Sequence, residues 1–158
     1  MEGAKFLLNW ILRDIKQKDV FFKRIQNIEE DEHSALITYK DKKVNVIPLV
    51  DLDDEGLAKV YFQAESNEHI TIATFNKKEN IQSMIKSWDD LCNIRFLCIY
   101  FINPFSNPDN KWIIFPHTHA KVTEKKALRT GLASLGQSVA PFTEHDLRRI
   151  PDDGEMQI

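Results

Sequence analysis

The sequence contains little glycine and none of the glycine-rich motifs that bind phosphate groups. Only five glycines occur in 158 residues, and they never form the GxGxxG or GxxxxGK[ST] pattern. The GxSxG pattern of a hydrolase nucleophile turn is also missing. The common nucleotide-binding loops and the α/β-hydrolase active site are therefore excluded as explanations of function.

Cysteine is equally scarce. Cys92 and Cys98 lie six residues apart among apolar neighbours. Two cysteines at this spacing provide neither a disulfide framework nor a CxxC metal or redox motif. We predict that both are free, buried thiols in a reducing compartment, and that neither is a catalytic nucleophile, because such a cysteine needs exposure and a nearby base.

Positive charge and long apolar runs are lacking as well. The formal net charge is −3, so no overall basic field attracts nucleic acid or an anionic membrane, although a local basic face still could. The longest apolar stretch, residues 96–102, is too short to cross a bilayer. The N-terminus has no signal-peptide pattern. We expect a cytoplasmic protein without a membrane partner, with one globular domain over residues 1–150 and a polar tail over 151–158.

Hydrophobic periodicity predicts the element order αβββαββα. Residues 57–64 fit a short helix and a strand almost equally well. Residues 96–102 are apolar on both faces, which is typical of a central strand covered on each side. Asn76 is predicted to cap the following helix, with Glu79 as its reciprocal partner. The predicted strands cover residues 35–39, 44–50, 69–75, 96–102 and 111–115, and the main helices cover residues 4–16, 77–92 and 123–139.

These elements predict an α+β or α/β fold in a single domain. The sheet should be mixed and five-stranded, because one strand–helix–strand unit joins parallel strands while hairpins add antiparallel pairs. The central strand, residues 96–102, is expected to lie between the helices at 77–92 and 123–139.

The segment F-P-H-T-H-A-K-V places His117 and His119 directly after the last predicted strand. In an extended chain, residues two apart share a face, which suits two imidazoles on one metal ion. A tight zinc site needs further ligands, and Pro116 can end the strand before the pair. We therefore predict no transition-metal site here, with one imidazole bonded to a backbone group and the other in solvent beside Lys121.

An acidic segment containing Asp51, Asp53 and Asp54 follows the second predicted strand. Carboxylates at a strand end can hold Mg²⁺ for phosphoryl chemistry. They are equally common in solvated turns, where aspartate caps a helix. Asp51 and Asp53 are the catalytic candidates if the first interpretation holds.

The order helix, three strands, helix, strand over residues 4–102 resembles the restriction-endonuclease-like, PD-(D/E)XK, nuclease superfamily. In that superfamily an aspartate near the end of the second strand and a (D/E)-x-K motif on the third hold the metal and a water. Asp51 falls where the first aspartate would lie. On the third predicted strand, however, Ala73 stands in the place of the acid and Phe75 in that of the lysine, and lysines follow at 77–78. The resemblance implies a fold relative with a degenerate site, which would need Mg²⁺ only if it were active.

The same order and length also look like the small dimeric chaperones of type III secretion. That resemblance implies a protein without catalytic residues that binds an extended segment of its partner on apolar patches. It also implies a homodimer. The pI of about 6.0 is less acidic than is usual for such chaperones.

Four cations, Lys121, Lys125, Lys126 and Arg129, cluster near the predicted start of the last long helix. Because cations are mildly unfavourable at a helix N-terminus, helix stability does not account for them. They predict a patch for an acidic partner or a phosphate backbone, unless they are ordinary surface charge. The sequence therefore favours a binding or interaction module for a protein partner or an acidic ligand, with a metal-dependent nuclease, or a degenerate relative of one, as the alternative.

Overall fold

A mixed β-sheet forms the middle of the fold in the computed structural model, which describes residues 2–151. Within these residues the sheet has six strands in the order β1-β2-β3-β4-β5-β6. The strands are β1 (Ile25–Glu30), β2 (Ala35–Tyr39), β3 (Lys43–Pro48), β4 (His69–Phe75), β5 (Phe96–Ile102) and β6 (Lys111–Ile114). The helices are α1 (Glu2–Lys18), α2 (Asp54–Ala64), α3 (Lys78–Lys86), α4 (Trp88–Cys92), α5 (Pro116–Val122), α6 (Leu128–Gly136) and α7 (Glu144–Arg148), with a 3₁₀ turn at Lys125–Ala127.

The strand directions bring several polar residues to one edge of the sheet. Strands β1, β2 and β3 form an antiparallel meander, β3, β4 and β5 run parallel, and β6 returns antiparallel to β5. The carboxyl ends of the three parallel strands therefore meet at the same edge. Asp51, Asn76 and Asn103 follow those strand ends closely.

Each face of the sheet carries its own apolar core. Helices α2, α3, α4 and α6 cover one face, where Phe101 stacks on Trp112 with ring centroids 4.3 Å apart. Helix α1 covers the other face together with the segment around α7, and Phe75 stacks there on Phe142. Burial on both sides explains why β5 is apolar on both faces. The three tryptophans, Trp10, Trp88 and Trp112, are all buried, as apolar positions at these spacings predict.

The predicted mixed α+β architecture is confirmed, but the sheet has six strands instead of five. The missed strand is β1, which reads I-Q-N-I-E-E and has only Ile25 and Ile28 half-buried. It is an edge strand whose polar composition resembles a connector, and edge strands tolerate charge because one side of their backbone faces solvent. Residues 57–64, for which helix and strand were alternatives, belong to helix α2, which begins after the N-cap residue Asp53.

The predicted arrangement of the helices is wrong. Helices α3, α4 and α6 lie on the same face of the sheet, and α1 covers the opposite face, so β5 does not separate the helices at 77–92 and 123–139. The first of these is broken at Ser87. The helix predicted at 123–139 begins only at Leu128, after the separate helix α5 at residues 116–122 and the 3₁₀ turn. Leu135, which an apolar stripe through Leu128 and Leu132 would place inward, is 39% exposed.

Helix caps test local sequence patterns directly. The N-cap of α3 is Lys77 and makes no side-chain cap bond, so the predicted Asn76–Glu79 capping box is wrong. Asn76 instead directs its amide to partners far along the chain. At α7 the Thr143 hydroxyl accepts from the Asp146 N–H and the Asp146 carboxylate accepts from the Thr143 N–H, which forms a complete capping box. The polar tail predicted at 151–158 lies outside the described residues apart from Pro151.

Two glycines of α6 provide a matched test of how closely α6 approaches α3. A Cβ on Gly131 would meet no atom within 4 Å, whereas a Cβ on Gly136 would lie 2.6 Å from Cδ1 of Ile81. Gly131→Ala should raise the free energy of unfolding by about 0.5–1 kcal/mol, because alanine restricts the unfolded chain and favours helix. Gly136→Ala should raise it less than Gly131→Ala does, because the added methyl group must displace the Cδ1 of the half-buried Ile81. Urea titrations followed by circular dichroism measure both values, and equal shifts would contradict the close approach.

Candidate ligand-binding groove

A groove with a volume of about 740 Å³ lies between α3 and α6. One wall is a single face of α3, and the other is α6 with the irregular segment that follows it. The residues from α3 and its start are Asn76, Lys78, Ile81, Gln82, Ile85 and Lys86. Those from α6 and the segment after it are Arg129, Ala133, Gly136, Gln137, Val139, Ala140 and Pro141. The volume lies within the ordinary range for ligand sites in proteins.

The groove combines an apolar floor with a rim of one charge sign. The half-buried Ile81 and Ile85 are among its apolar lining residues, while its charged lining residues are Lys78, Lys86 and Arg129. All three cations are exposed, and none is ion-paired to another described residue. Among residues 2–151, no carboxylate lines the groove. It is therefore suited to an occupant with an apolar surface and negative charge.

The end wall of the groove is held in place by Asn76. Its amide nitrogen donates to the backbone carbonyls of Gly136, Val139 and Ala140 at 3.2, 3.0 and 3.3 Å. Its amide oxygen accepts from the indole N–H of Trp112 at 2.8 Å. Asn76 is 2% exposed, so these hydrogen bonds form away from competing water.

Two further polar residues complete the anchoring of this segment. The Asn103 amide donates to the Ala140 carbonyl at 2.8 Å, and the Ser106 hydroxyl accepts from the Ala140 N–H at 3.0 Å. The Phe142 N–H donates to the backbone carbonyl of Asn76. Irregular backbone packed against a core needs partners of this kind for its polar groups. The groove is consequently a formed feature of the fold.

The structure does not bring the four predicted basic residues into one site. Arg129 lines the groove, but its companions there are Lys78 and Lys86 of α3, which the sequence interpretation missed. Lys125 instead lies 3.4 Å from Asp89, an exposed ion pair of the kind that contributes little. The signal for the missed pair was its spacing, since residues eight apart on a helix lie within about 80° of each other around the axis, on the side that also carries Ile81 and Ile85. Lys121 and Lys126 are exposed outside the groove.

The acidic candidates are engaged in other ways. The Asp51 carboxylate forms an ion pair with Lys77, which follows the end of β4. Asp53 is the N-cap of α2, where its Oδ1 accepts from the Gly56 N–H at 2.7 Å. Asp54 lies in the first turn of α2. Because β1 precedes the hairpin, Asp51 follows the third strand of the sheet and not the second. The resemblance to the nuclease superfamily places the first metal-binding aspartate near the end of the second strand, so Asp51 lies one strand further along.

His117 and His119 lie in helix α5 and not in the extended chain that would place both imidazoles on one face. Residues two apart on α5 point about 200° apart around its axis. His117 Nδ1 lies 2.8 Å from the Cys92 carbonyl oxygen, which confirms a backbone partner for one imidazole. His119 is not free in solvent: its Nε2 lies 3.1 Å from the Thr123 hydroxyl, and its ring contacts Trp88 edge-on. Across residues 2–151, His, Cys, Asp and Glu nowhere form a group of three that could hold a metal ion.

Both cysteines are free thiols, as predicted, but the prediction that they are buried is wrong, because both are only half-buried. Burial raises the pKa of Cys98 to about 12 and also raises the pKa of Cys92 above its usual value. Because the thiolate is the nucleophilic form, neither thiol is activated at neutral pH.

Comparison with known proteins finds no match to a family model, to a curated protein or to a solved structure. Among the described helices, none is long and apolar enough to cross a membrane. The arguments about function therefore depend on the shape and chemistry of the groove.

Proposed function

We propose that the protein is a non-catalytic binding module and that its ligand occupies the groove between α3 and α6. One observation supports this assignment: the groove has an apolar floor, and every charged residue that lines it is basic. The ligand should therefore present an apolar surface to Ile81 and Ile85 and negative charge to Lys86 and Arg129.

The apolar contact should supply most of the affinity. Removal of apolar surface from water contributes about 25 cal/mol per Å², whereas an exposed ion pair contributes about 0–1 kcal/mol. The cations decide which ligand binds and in which orientation, since like charge at the rim rejects basic ligands.

A small anionic probe with an apolar body tests the site. We expect 8-anilinonaphthalene-1-sulfonate to bind and to shift the amide resonances of α3 and α6 in ¹H–¹⁵N spectra. Lys86→Glu/Arg129→Glu should weaken binding about tenfold or more, because two attractive charges become repulsive. Lys121→Glu/Lys126→Glu makes the same change in net charge outside the groove and should leave the affinity within about twofold.

Space in the groove can be tested without changing charge. Ala133 lines the groove on α6, whereas its neighbour Ser134 is exposed and does not. Ala133→Trp should fill the groove and prevent probe binding, while Ser134→Trp should not. If Ala133→Trp and Ser134→Trp bind the probe equally well, the probe lies outside the groove and the proposal is contradicted. The same holds if the two double charge variants lose affinity equally. Thermal unfolding of each variant confirms that it is folded.

A metal-dependent nuclease, or a degenerate relative of the restriction-endonuclease-like fold, is the second candidate. It is supported by the ion pair of Asp51 and Lys77, which joins a carboxylate and a lysine at the edge where the parallel strands end. Labelled DNA and RNA incubated with the protein and Mg²⁺ or Mn²⁺ test it. If the protein cleaves the nucleic acid and Asp51→Asn abolishes the cleavage, the protein is an enzyme and the proposal of a non-catalytic binding module is wrong.

A further inference from the structure

We infer that the occupant of the groove is an acidic amphipathic helix of a partner protein. This inference rests on the proposed function and specifies its ligand. It is carried by three features of the lining residues: the separation of the cations, the helical construction of both walls and the small side chain of Ala133 on α6.

The cations are too far apart for a ligand with one charged group. Lys78 and Lys86 lie eight residues apart on α3, about 12 Å along the axis at 1.5 Å per residue. Arg129 lies across the groove on α6. A fatty acid carries its charge at one end and could reach only one end of this rim. A ligand that uses the whole rim needs anionic groups about two helical turns apart.

The walls favour a helix over an extended segment. On α3 the lining positions recur at intervals of three and four residues, so the groove presents side chains along a helix face. An extended peptide gains most of its affinity by pairing its backbone with a free strand edge, and no strand contributes to this groove. A helix satisfies its own backbone and packs its side chains between the ridges of α3 and α6.

A small exposed residue of α6 allows close approach. Ala133 lines the groove and presents only a methyl group to a third helix, whereas Gly136 is buried where Ile81 of α3 packs against it. None of the lining residues is aromatic. Single-stranded nucleic acid, which would also be attracted by the cations, binds best where bases can stack on aromatic rings. The lining therefore favours a protein helix over a nucleic acid strand.

The expected ligand helix follows from this geometry. Apolar residues at positions i, i+3, i+4 and i+7 would contact Ile81 and Ile85. Acidic residues that flank this stripe two turns apart would face Lys78 and Lys86, with a third near Arg129.

A designed peptide tests the inference directly. The probe is an acetylated, amidated and fluorescein-labelled peptide of four helical turns, with leucines on one face and glutamates flanking them two turns apart. We expect it to bind with a dissociation constant in the micromolar range, measured by fluorescence anisotropy. The Lys86→Glu/Arg129→Glu variant should bind at least about tenfold more weakly, and Lys121→Glu/Lys126→Glu within about twofold of the wild type.

Two matched peptides separate helix recognition from charge. A peptide of the same composition with its leucines scattered around the helix should bind at least about tenfold more weakly, and so should one with glutamine in place of glutamate. Equal binding of the scattered peptide, or no binding of the designed one, would overturn the helix inference. If 8-anilinonaphthalene-1-sulfonate still binds in the groove in that case, the proposed function stands and only its ligand is wrong. If the sulfonate probe fails too, both are wrong.

Discussion

Replacing Asn76 with alanine is expected to lower the free energy of unfolding by about 3–4 kcal/mol, because several buried polar groups lose their partners at once. The indole N–H of Trp112 loses its acceptor, and the carbonyls of Gly136 and Val139 lose a donor. An unsatisfied buried group typically costs about 1–3 kcal/mol. Such a loss is a large part of the 5–15 kcal/mol that commonly stabilises a domain, at about 0.05–0.15 kcal/mol per residue.

A double-mutant cycle isolates one of these bonds. Trp112→Phe keeps an aromatic ring on Phe101 but removes the indole donor. If the bond forms as described, Asn76→Ala should cost about 1 kcal/mol less in the Trp112→Phe background than in the wild type. Urea unfolding measures all four proteins. If the two substitutions change the free energy of unfolding additively, or if Asn76→Ala alone lowers it by less than about 1 kcal/mol, the buried polar groups that bond Asn76 find other partners.

The same substitution should affect the groove. Asn76 fixes the segment that forms the end wall, so any Asn76→Ala protein that remains folded should bind 8-anilinonaphthalene-1-sulfonate more weakly. Ser134→Ala, an exposed change on α6 outside the groove, leaves the end wall untouched and serves as the comparison.

Asn76 also illustrates what the sequence could and could not predict. An asparagine three residues before a glutamate at the start of an apolar stripe is the local signature of a capping box. Its actual partners lie 36 to 64 residues away, and local pattern contains no information about them. The amphipathic helix α1 and the continuously apolar strand β5 were predictable because consecutive residues show how each element is buried.

The groove could not be predicted for a related reason. Its two walls are separated by about forty residues of sequence, and only the packing of α3 and α6 on the same face of the sheet joins them. Strand β1 escaped prediction because an edge strand with two half-buried isoleucines lacks the apolar alternation of a buried strand. The histidine pair was misplaced because Pro116, at the first helical position, starts α5 and does not merely end β6.

Asn80→Ala is expected to cost a similar 3–4 kcal/mol, because Asn80 ties the chain after β3 to the end of β4. The Asn80 amide oxygen accepts from the Leu52 N–H at 2.9 Å, and the amide nitrogen donates to the Val50 carbonyl, the Thr74 hydroxyl and the Phe75 carbonyl at 3.1, 3.0 and 2.9 Å. The residue is 1% exposed, so water cannot replace these bonds without opening the core.

Thr74→Val is the graded comparison for Asn80→Ala. It removes one hydroxyl from this network and should cost about 1–2 kcal/mol, well below the loss for Asn80→Ala. Amide hydrogen exchange supplies a local measurement. In Asn80→Ala the Leu52 N–H should exchange far faster than in the wild type. The exchange rates of the N–H groups paired between β4 and β5 should change only as much as the global free energy of unfolding does. Unchanged protection at Leu52 would contradict the network. Loss of protection there should also loosen the ion pair of Asp51 with Lys77, since Asn80 holds the backbone on either side of Asp51.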